Sequence, residues 1–231
     1  PQNAQLLITA LQNNFVGYEQ LQKYLKSCPK YGNNIEQVDN EANIIANTIS
    51  DMVHSKINYL GNPFRADWSS PTTHLLYGYW VGATPDGRNA REMLGYGVDP
   101  LYNTADNGLG FRMLSLFHLD FTKFKGGYAS HLGLNPNYFK ANTLEQKGLE
   151  FKNKIIEPLF YSSQGDNNPF YLYVNVTTPE ILKKVLENPK KYAPSGVYIM
   201  RIHGTFVNFL DLSPDVQNDI IKRLSLNSTT C

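Results

Sequence analysis

The chain has 231 residues, of which 42% are hydrophobic and 18% charged, and its formal net charge is +1. This balance is typical of a globular protein with a sizeable core and excludes wholesale disorder. Lys and Arg are dispersed along the sequence, which excludes an extended basic surface for nucleic acid or an anionic membrane. No run of about 18 apolar residues occurs, so we expect no membrane-spanning helix.

Cysteine and histidine usage limits the chemistry further. The two cysteines, Cys28 and Cys231, are far apart in the sequence, so a disulfide framework is not expected and a reducing cytoplasm is favoured. The histidines at positions 54, 74, 118 and 131 lack metal-ligand spacing, and we therefore expect no zinc site. The chain begins at Pro1 without Met, which suggests the middle of a longer polypeptide.

The first third of the chain predicts helices. Apolar residues recur at helical spacing over residues 6–11 and 18–25, and Pro29 ends the second of these segments. A longer helix is predicted over residues 38–57. Its expected buried stripe consists of Val38, Ala42, Ile45, Ile49, Met52, Val53 and Ile57.

The middle third, residues 62–133, is predicted to be rich in loops. Gly, Pro and Asn clusters interrupt short apolar runs at residues 73–80 and 111–119, and the abundant Tyr and Phe in such runs would suit strands. An irregular segment of this length with many aromatic residues is typical of a functional region. A helical pattern returns over residues 144–160.

The last third has the clearest alternation of strands and helices. We predict strands at residues 170–176, 197–202 and 206–212, and helices that begin after Thr178 and Ser213, each a helix N-cap followed by Pro. Gly204 lies between the second and third strands with no Asn or Asp beside it. From pattern alone it is a bulge or a turn with positive φ, as is common for glycine at strand junctions. We expect one α/β unit.

Five segments, in order, resemble the glycyl radical enzymes of the pyruvate formate-lyase and glycerol dehydratase type. Residues 29–33 (PKYGN) match the family's PKYGND segment, and residues 82–88 are identical to its GATPDGR motif. Residues 173–176 (YVNV) resemble its QxNV strand, and residues 200–206 (MRIHGTF) resemble the RVxGYS segment that carries the radical glycine. Residues 211–221 (DLSPDVQNDII) follow its DLSPEVQDEII ending.

The resemblance implies that Gly204 holds an unpaired electron on its Cα. Such a radical needs a planar centre, and glycine has no side chain to crowd it. An activating enzyme with an iron–sulfur cluster and S-adenosylmethionine is expected to remove the hydrogen, so this chain would need no cofactor of its own. The implied fold is the C-terminal part of an α/β barrel, with strands that flank a buried glycyl loop. Residues 1–80 would complete the pyruvate formate-lyase-like domain, and residues 81–231 would form the glycine radical domain.

In this family the glycyl radical takes a hydrogen from a cysteine inside the barrel, and the thiyl radical then attacks the substrate. This chain has no segment that matches the cysteine motif. Cys28 precedes PKYGN and is interpreted as a packing residue, whereas Cys231 is the last residue. We therefore expect no turnover by the chain alone, and we expect an N-terminal part or subunit to supply the cysteine. Other expected partners are the activating enzyme, a small-molecule substrate and further copies of the enzyme in a homo-oligomer.

Departures from the family pattern leave the reaction open. Thr205 and Phe206 follow the glycine where Tyr-Ser is usual, His203 precedes it, and residues 91–100 lack the family's usual small-residue run. These differences favour a lyase branch, such as an arylacetate decarboxylase or a diol dehydratase, over formate acetyltransferase. A stand-alone radical-domain repair protein is a further alternative. In the site itself, His203 is interpreted as a packed histidine, and Arg88 as an anchor for a neighbouring carboxylate or carbonyl.

Overall fold

The computed structural model describes residues 3–68, 74–101, 103–124, 128–161, 171–202 and 205–225. Helices of at least seven residues are α1 (Ala4–Gln12), α2 (Glu19–Ser27), α3 (Glu36–His54), α4 (His74–Trp80), α5 (Leu109–Phe117), α6 (Leu144–Phe151), α8 (Pro179–Glu187) and α10 (Pro214–Leu224). Two four-residue helices are α7 (Glu157–Phe160) and α9 (Pro189–Tyr192). The strands are β1 (Ala129–Leu134), β2 (Tyr171–Val176), β3 (Ile199–Ile202) and β4 (Thr205–Asn208).

The three predicted helices of the first third are present, but the expected buried stripe of α3 is wrong in part. Ala42 and Val53 do pack against the core. Ile45, Ile49 and Met52 are more than half exposed, whereas Asp39 and Ser50 are fully buried. The buried face meets α5, where the Ser115 hydroxyl donates to Asp39 Oδ2 at 2.9 Å. Periodicity locates an apolar stripe on a helix but does not show which face meets the chain's own core.

The two apolar runs of the middle third form helices, α4 and α5, and not strands. Helix α5 buries Met113 and Leu116 together with Arg112, so its inner face mixes apolar packing with one cation. Among the described residues, strand β1 begins at the end of this region, and the sequence pattern did not predict it. Apolar runs of fewer than ten residues do not separate strand from buried helix by periodicity.

Strands β1 and β2 are parallel, with His131 opposite Tyr173 and Gly133 opposite Asn175. The predicted helical segment 144–160 connects them and contains a π-helical turn, Lys152–Ile156. Pro158 lacks an amide hydrogen and cannot continue the α-helical hydrogen bonds, which explains the irregular turn before it. The alternate strand residues Leu132 and Leu172 pack against this helical connection. The opposite face of the strand pair therefore faces the C-terminal part of the chain.

The C-terminal part forms its own apolar core around an antiparallel hairpin of β3 and β4. Leu182 and Val185 of α8 and Phe209 are fully buried there, and Ile220 and Ile221 of α10 are nearly so. This part bears out the sequence-predicted helices and strands, with two corrections at their ends.

The first correction concerns the strand predicted for residues 206–212. It ends at Asn208, whose side chain accepts from the amides of Tyr198 and Leu210 and starts a 3-10 turn. The second concerns capping. The Thr178 hydroxyl accepts from the Ile181 amide at 3.3 Å as predicted, but Ser213 makes no side-chain cap. Among the described helices, none is long and apolar enough to cross a membrane.

We predict that Leu182→Ala lowers the free energy of unfolding by about 3 kcal/mol, because it opens a cavity in the C-terminal core. The leucine is 0% exposed. Leu144→Ala is the matched control, since that leucine is 87% exposed and its truncation leaves no cavity. Urea denaturation of the three proteins measures the difference, and equal losses for both variants would contradict the packing.

Candidate radical site

The hairpin of β3 and β4 brackets the predicted radical position. Ile202 is the last residue of β3 and pairs with Thr205, the first residue of β4. The Thr205 hydroxyl donates to the Ile202 carbonyl at 2.9 Å. Gly204 and His203 lie outside the described residues, so the structure gives the two strands on either side of the predicted radical and not the glycine itself.

Asn175 joins this hairpin to strand β2. Its side-chain Nδ2 donates to the Arg201 carbonyl at 2.9 Å, and its Oδ1 accepts from the Arg201 amide at 2.9 Å. The carboxamide thus satisfies both backbone groups of one strand residue, as a neighbouring strand would. Sequence reasoning placed Asn175 in a family motif but missed this role. Its signal was a polar amide inside an apolar strand, where Asn is disfavoured.

The GATPDGR segment forms a loop organised by the buried side chain of Arg88, which is 4% exposed. The guanidinium donates to the carbonyls of Gly82, Asn89 and Glu92, and Nε donates to the Thr84 hydroxyl at 3.2 Å. The expected anchoring role of Arg88 is therefore confirmed, with carbonyls as the acceptors.

The same loop docks on α2. Gly87 has φ +95°, and a Cβ at this position would come within 2.6 Å of Lys26 Cγ. Gln22 Nε2 donates to the Gly87 carbonyl at 2.9 Å. Only glycine allows this close approach in this conformation.

The PKYGN segment also acts as a structural junction. Lys30 donates to the Leu25 and Cys28 carbonyls at the end of α2, and Asn33 Nδ2 donates to the Thr104 carbonyl at 2.6 Å. Gly32 has φ +96°, and a Cβ there would meet Pro100 at 2.3 Å. Cys28 Sγ donates to the Tyr24 carbonyl at 3.3 Å, consistent with a packing residue. Cys231 lies outside the described residues.

A buried polar cluster lies beside the hairpin, and sequence reasoning did not find it. Arg112 of α5 forms an ion pair with Asp99, and His131 Nδ1 of β1 lies 3.5 Å from Asp99 Oδ2. The His131 ring stands edge-on to Tyr96 with ring centroids 4.1 Å apart, and it lies over Tyr173 at 5.0 Å. The cluster thus joins a loop through Asp99, helix α5 through Arg112 and strand β1 through His131.

A second charged group connects α4 to α10 next to this cluster. His74 Nε2 lies 3.2 Å from Asp219 Oδ2, and Arg223 Nε lies 3.1 Å from the same oxygen. The Arg223 guanidinium stacks over the Tyr96 ring at 4.9 Å. The described part of the chain contains no group of three His, Cys, Asp or Glu residues that could hold a metal ion.

The electrostatics of the first cluster favour an ionised Asp99 and a neutral His131. Burial alone would raise the pKa of Asp99, but the Arg112 guanidinium and His131 outweigh it, and the pKa lies below its usual range. Burial lowers the pKa of His131 against the opposing carboxylate of Asp99, and Arg223 and Arg112 lower it further.

Comparison with known proteins shows what the whole chain is similar to. A protein-family model described as pyruvate formate lyase-like matches residues 3–78. Isethionate sulfite-lyase of Bilophila wadsworthia is 32% identical over 218 residues, covering 94% of this chain and 25% of the relative. Formate acetyltransferase 1 of Escherichia coli is 26% identical, covering 84% of this chain and 25% of the relative. Glycerol-bound B12-independent glycerol dehydratase from Clostridium butyricum superimposes with a TM-score of 0.79 at 28% identity, over 96% of this chain and 27% of that one.

These matches lead to one class of enzyme, and the chain belongs to the glycyl radical enzyme family. The family predicted from the sequence is thereby confirmed, as is a mixed helix and strand fold that matches structures of this family. The chain spans about a quarter of the length of the curated relatives it matches.

We predict that Asn175→Leu releases the hairpin from β2. The substitution keeps the side-chain size but leaves the Arg201 amide and carbonyl without their partner, which costs about 3 kcal/mol of unfolding free energy. Hydrogen exchange at the Arg201 amide should accelerate, as measured by NMR or mass spectrometry. Asn62→Leu is the control because Asn62 is exposed and its side chain makes no described hydrogen bond. Unchanged exchange in Asn175→Leu would contradict the clamp.

A second prediction concerns pH. Because the pKa of His131 is lowered by burial, the unfolded chain binds more protons than the folded chain as the pH falls through about 6.5. The unfolding free energy should therefore fall between about pH 7.5 and about pH 5.5, and His131→Phe should flatten that slope. His118→Gln, at the end of α5, serves as the control. A slope unchanged by His131→Phe would show that other groups cause the acid sensitivity.

Proposed function

We propose that this chain is the radical-bearing C-terminal portion of an anaerobic glycyl radical lyase, with Gly204 as the residue that holds the radical. The observation that carries the proposal is the paired hairpin on either side of Gly204, clamped to β2 through Asn175. A Cα radical is stabilised by its amide nitrogen and carbonyl only when the centre is planar, and glycine allows this because it has no side chain to crowd the centre.

Substrate conversion requires a cysteine, and the residues that the structure describes supply none at the site. Cys28 is bound to the end of α2 and does not line the cavity beside the hairpin. We therefore assign the thiyl-forming cysteine to an N-terminal part, joined covalently or as a subunit. The exposed apolar side chains of α3 support this assignment, because they form a surface of the kind that packs against another protein part. They are Ile44, Ile45, Ile49 and Met52.

The reaction is proposed to be lyase-type cleavage of a C–C or C–O bond in a small molecule. The isethionate sulfite-lyase relative is more similar in sequence than the formate acetyltransferase relative, at 32% against 26% identity, which favours the lyase branch. Formate acetyltransferase is the second candidate, supported by the family match over residues 3–78. The radical is proposed to be installed by a cytoplasmic S-adenosylmethionine-dependent activating enzyme, with no cofactor bound to this chain.

We predict that anaerobic incubation with the cognate activating enzyme, S-adenosylmethionine and reductant produces a doublet in the electron paramagnetic resonance spectrum. The splitting arises because the electron on Gly204 couples to the single hydrogen left on Cα. Gly204→Ala should abolish the signal. Gly196→Ala is the control, since Gly196 lies in the turn before β3 and a Cβ there meets nothing within 4 Å. Its positive φ makes modest destabilisation the expected side effect, to be checked by melting.

The test is carried out with the cysteine-bearing part present, so that a silent spectrum is informative. A doublet that persists in Gly204→Ala would place the radical elsewhere. Absence of the doublet in the assembled protein with its cognate activating enzyme would contradict the radical proposal. The chain would then be better explained as part of a non-catalytic binding protein related to these enzymes.

A further inference from the structure

One face of the β3–β4 hairpin carries large side chains that this chain leaves in solvent. Met200 and Ile202 of β3 pack into the C-terminal core. Ile199 and Arg201 alternate with them and therefore lie on the opposite face. Phe206 of β4 is paired with Arg201 across the hairpin and shares that face. Ile199 is 54% exposed and Phe206 70% exposed, and with Arg201 they form what we call the outer hairpin face.

The Asn175 clamp explains why the side chains of Arg201 and Phe206 meet. The amide and the carbonyl of Arg201 both bond to the Asn175 carboxamide and so point away from β4. Arg201 and Phe206 are therefore a non-hydrogen-bonded pair, the kind in which opposite side chains lie closest. The guanidinium stacks over the Phe206 ring at 4.5 Å from its centroid. This contact holds the ring in one orientation and covers only one side of it.

The composition of the outer hairpin face is that of an interface. A single exposed apolar residue needs no explanation, but here Phe206 lies diagonally opposite Ile199 and beside a cation. Aromatic residues and Arg are enriched in the cores of protein interfaces. Within the described residue ranges the Arg201 guanidinium forms no ion pair. The surface thus offers an apolar ring and a positive charge to a partner.

The sequence marks the same position. The RVxGYS segment of the family has Ser where this chain has Phe206. Burial of a Phe side chain contributes about 2 kcal/mol, and Ser has no comparable apolar surface. A partner that covers this face must therefore differ from the partner of a relative that has Ser there.

The proposed function brings two partners to the hairpin, and the chemistry of the radical favours one of them. Phe206 follows Gly204 by two residues, so their Cα atoms lie within about 7 Å of each other. The activating enzyme removes one hydrogen and leaves. The cysteine-bearing part has to reach Gly204 in every turnover, and a radical that oxygen destroys has to stay covered between turnovers. The lasting neighbour of the hairpin is therefore the cysteine-bearing part.

We propose that the outer hairpin face docks on the cysteine-bearing part, with the Phe206 ring in an apolar pocket of that part and an acidic residue at the pocket rim facing Arg201. The inference rests on the proposed function, which requires such a part, and it names Phe206 as the residue that selects it. A pocket shaped for Ser has no room for the ring, and a pocket shaped for Phe leaves a void opposite Ser. Arg201 is a positioning residue that orients the ring.

The first test measures whether the assembled protein covers Phe206. Protein assembled with the cysteine-bearing part, without a radical, is treated with hydroxyl radicals in buffer and in urea, and oxidation of each residue is read by mass spectrometry. Phe206 should be oxidised at least about tenfold more slowly in buffer, as is expected for the buried Phe209. If nothing covers the ring, its 70% exposure limits the protection to less than about twofold.

Matched variants test the pocket. In the activated, assembled protein, Phe206→Ser should accelerate the loss of the paramagnetic doublet in air about tenfold, because the hairpin separates from its cover more often. Phe206→Leu refills part of the pocket and should recover part of this loss. Arg201→Gln removes the stack and the charge and should have a smaller effect, about threefold. Leu144→Ser is the control, because Leu144 is 87% exposed on α6.

A second readout separates the two partners. The concentration of activating enzyme that gives half the maximal rate of radical formation should not rise in Phe206→Ser. A rise, together with protection of Phe206 that appears only when the activating enzyme is added, would overturn the proposal and assign the face to that enzyme.

Protection of Phe206 below about twofold in the assembled protein would also overturn the proposal, as would equal rates of doublet loss in Phe206→Ser and Leu144→Ser. If Phe206→Ser fails to assemble, the footprint of the unmodified protein still decides the question. Because that footprint needs no radical, a silent paramagnetic spectrum contradicts the proposed radical and leaves the docking result standing. A doublet in a protein whose Phe206 is unprotected contradicts only the present inference.

Discussion

The arrangement of the C-terminal part depends on one side chain, the carboxamide of Asn175, which bonds both backbone groups of Arg201. Each hydrogen bond contributes only about 1 kcal/mol of net stability. The main effect of the pair is therefore to position β3 against β2. The pair fixes where β3 crosses the inner face of the parallel strands. The cavity between the parallel strands and the hairpin depends on that position, since Asn175 and Arg201 both line it.

The seam between the C-terminal part and the rest of the chain is polar, in contrast to the apolar cores on its two sides. His74 pairs with Asp219, Arg223 stacks on Tyr96, and the hydroxyl of Thr177 contacts that of Tyr198 at 2.8 Å. Buried ion pairs contribute little net stability but tolerate only one alignment. Polar contacts of this kind align the hairpin with the inner face of the strands. The stability of each part comes mainly from its own apolar core.

Much of the C-terminal architecture is predictable from sequence because its signals are local. The Thr178-Pro179 start of α8 and the alternation in β2 depend on neighbouring residues, and the structure has both. The buried face of α3 was wrongly predicted in part, because Ile45, Ile49 and Met52 on its apolar side do not meet this chain's own core. The contact of Asp99, Arg112 and His131 was missed because it joins a loop, a helix and a strand that only the tertiary fold brings together. A local sequence pattern does not predict a contact between residues that are far apart in the sequence.

The central claim is that the unpaired electron resides on Gly204, and the site of oxygen damage tests it most directly. A Cα radical reacts with oxygen and the backbone breaks at that residue, so the position of the break records the position of the radical. The account predicts that air exposure of the activated protein yields products whose masses correspond to cleavage at Gly204, in proportion to the radical lost. Cleavage at another residue, or loss of the radical with the chain intact at position 204, would contradict it.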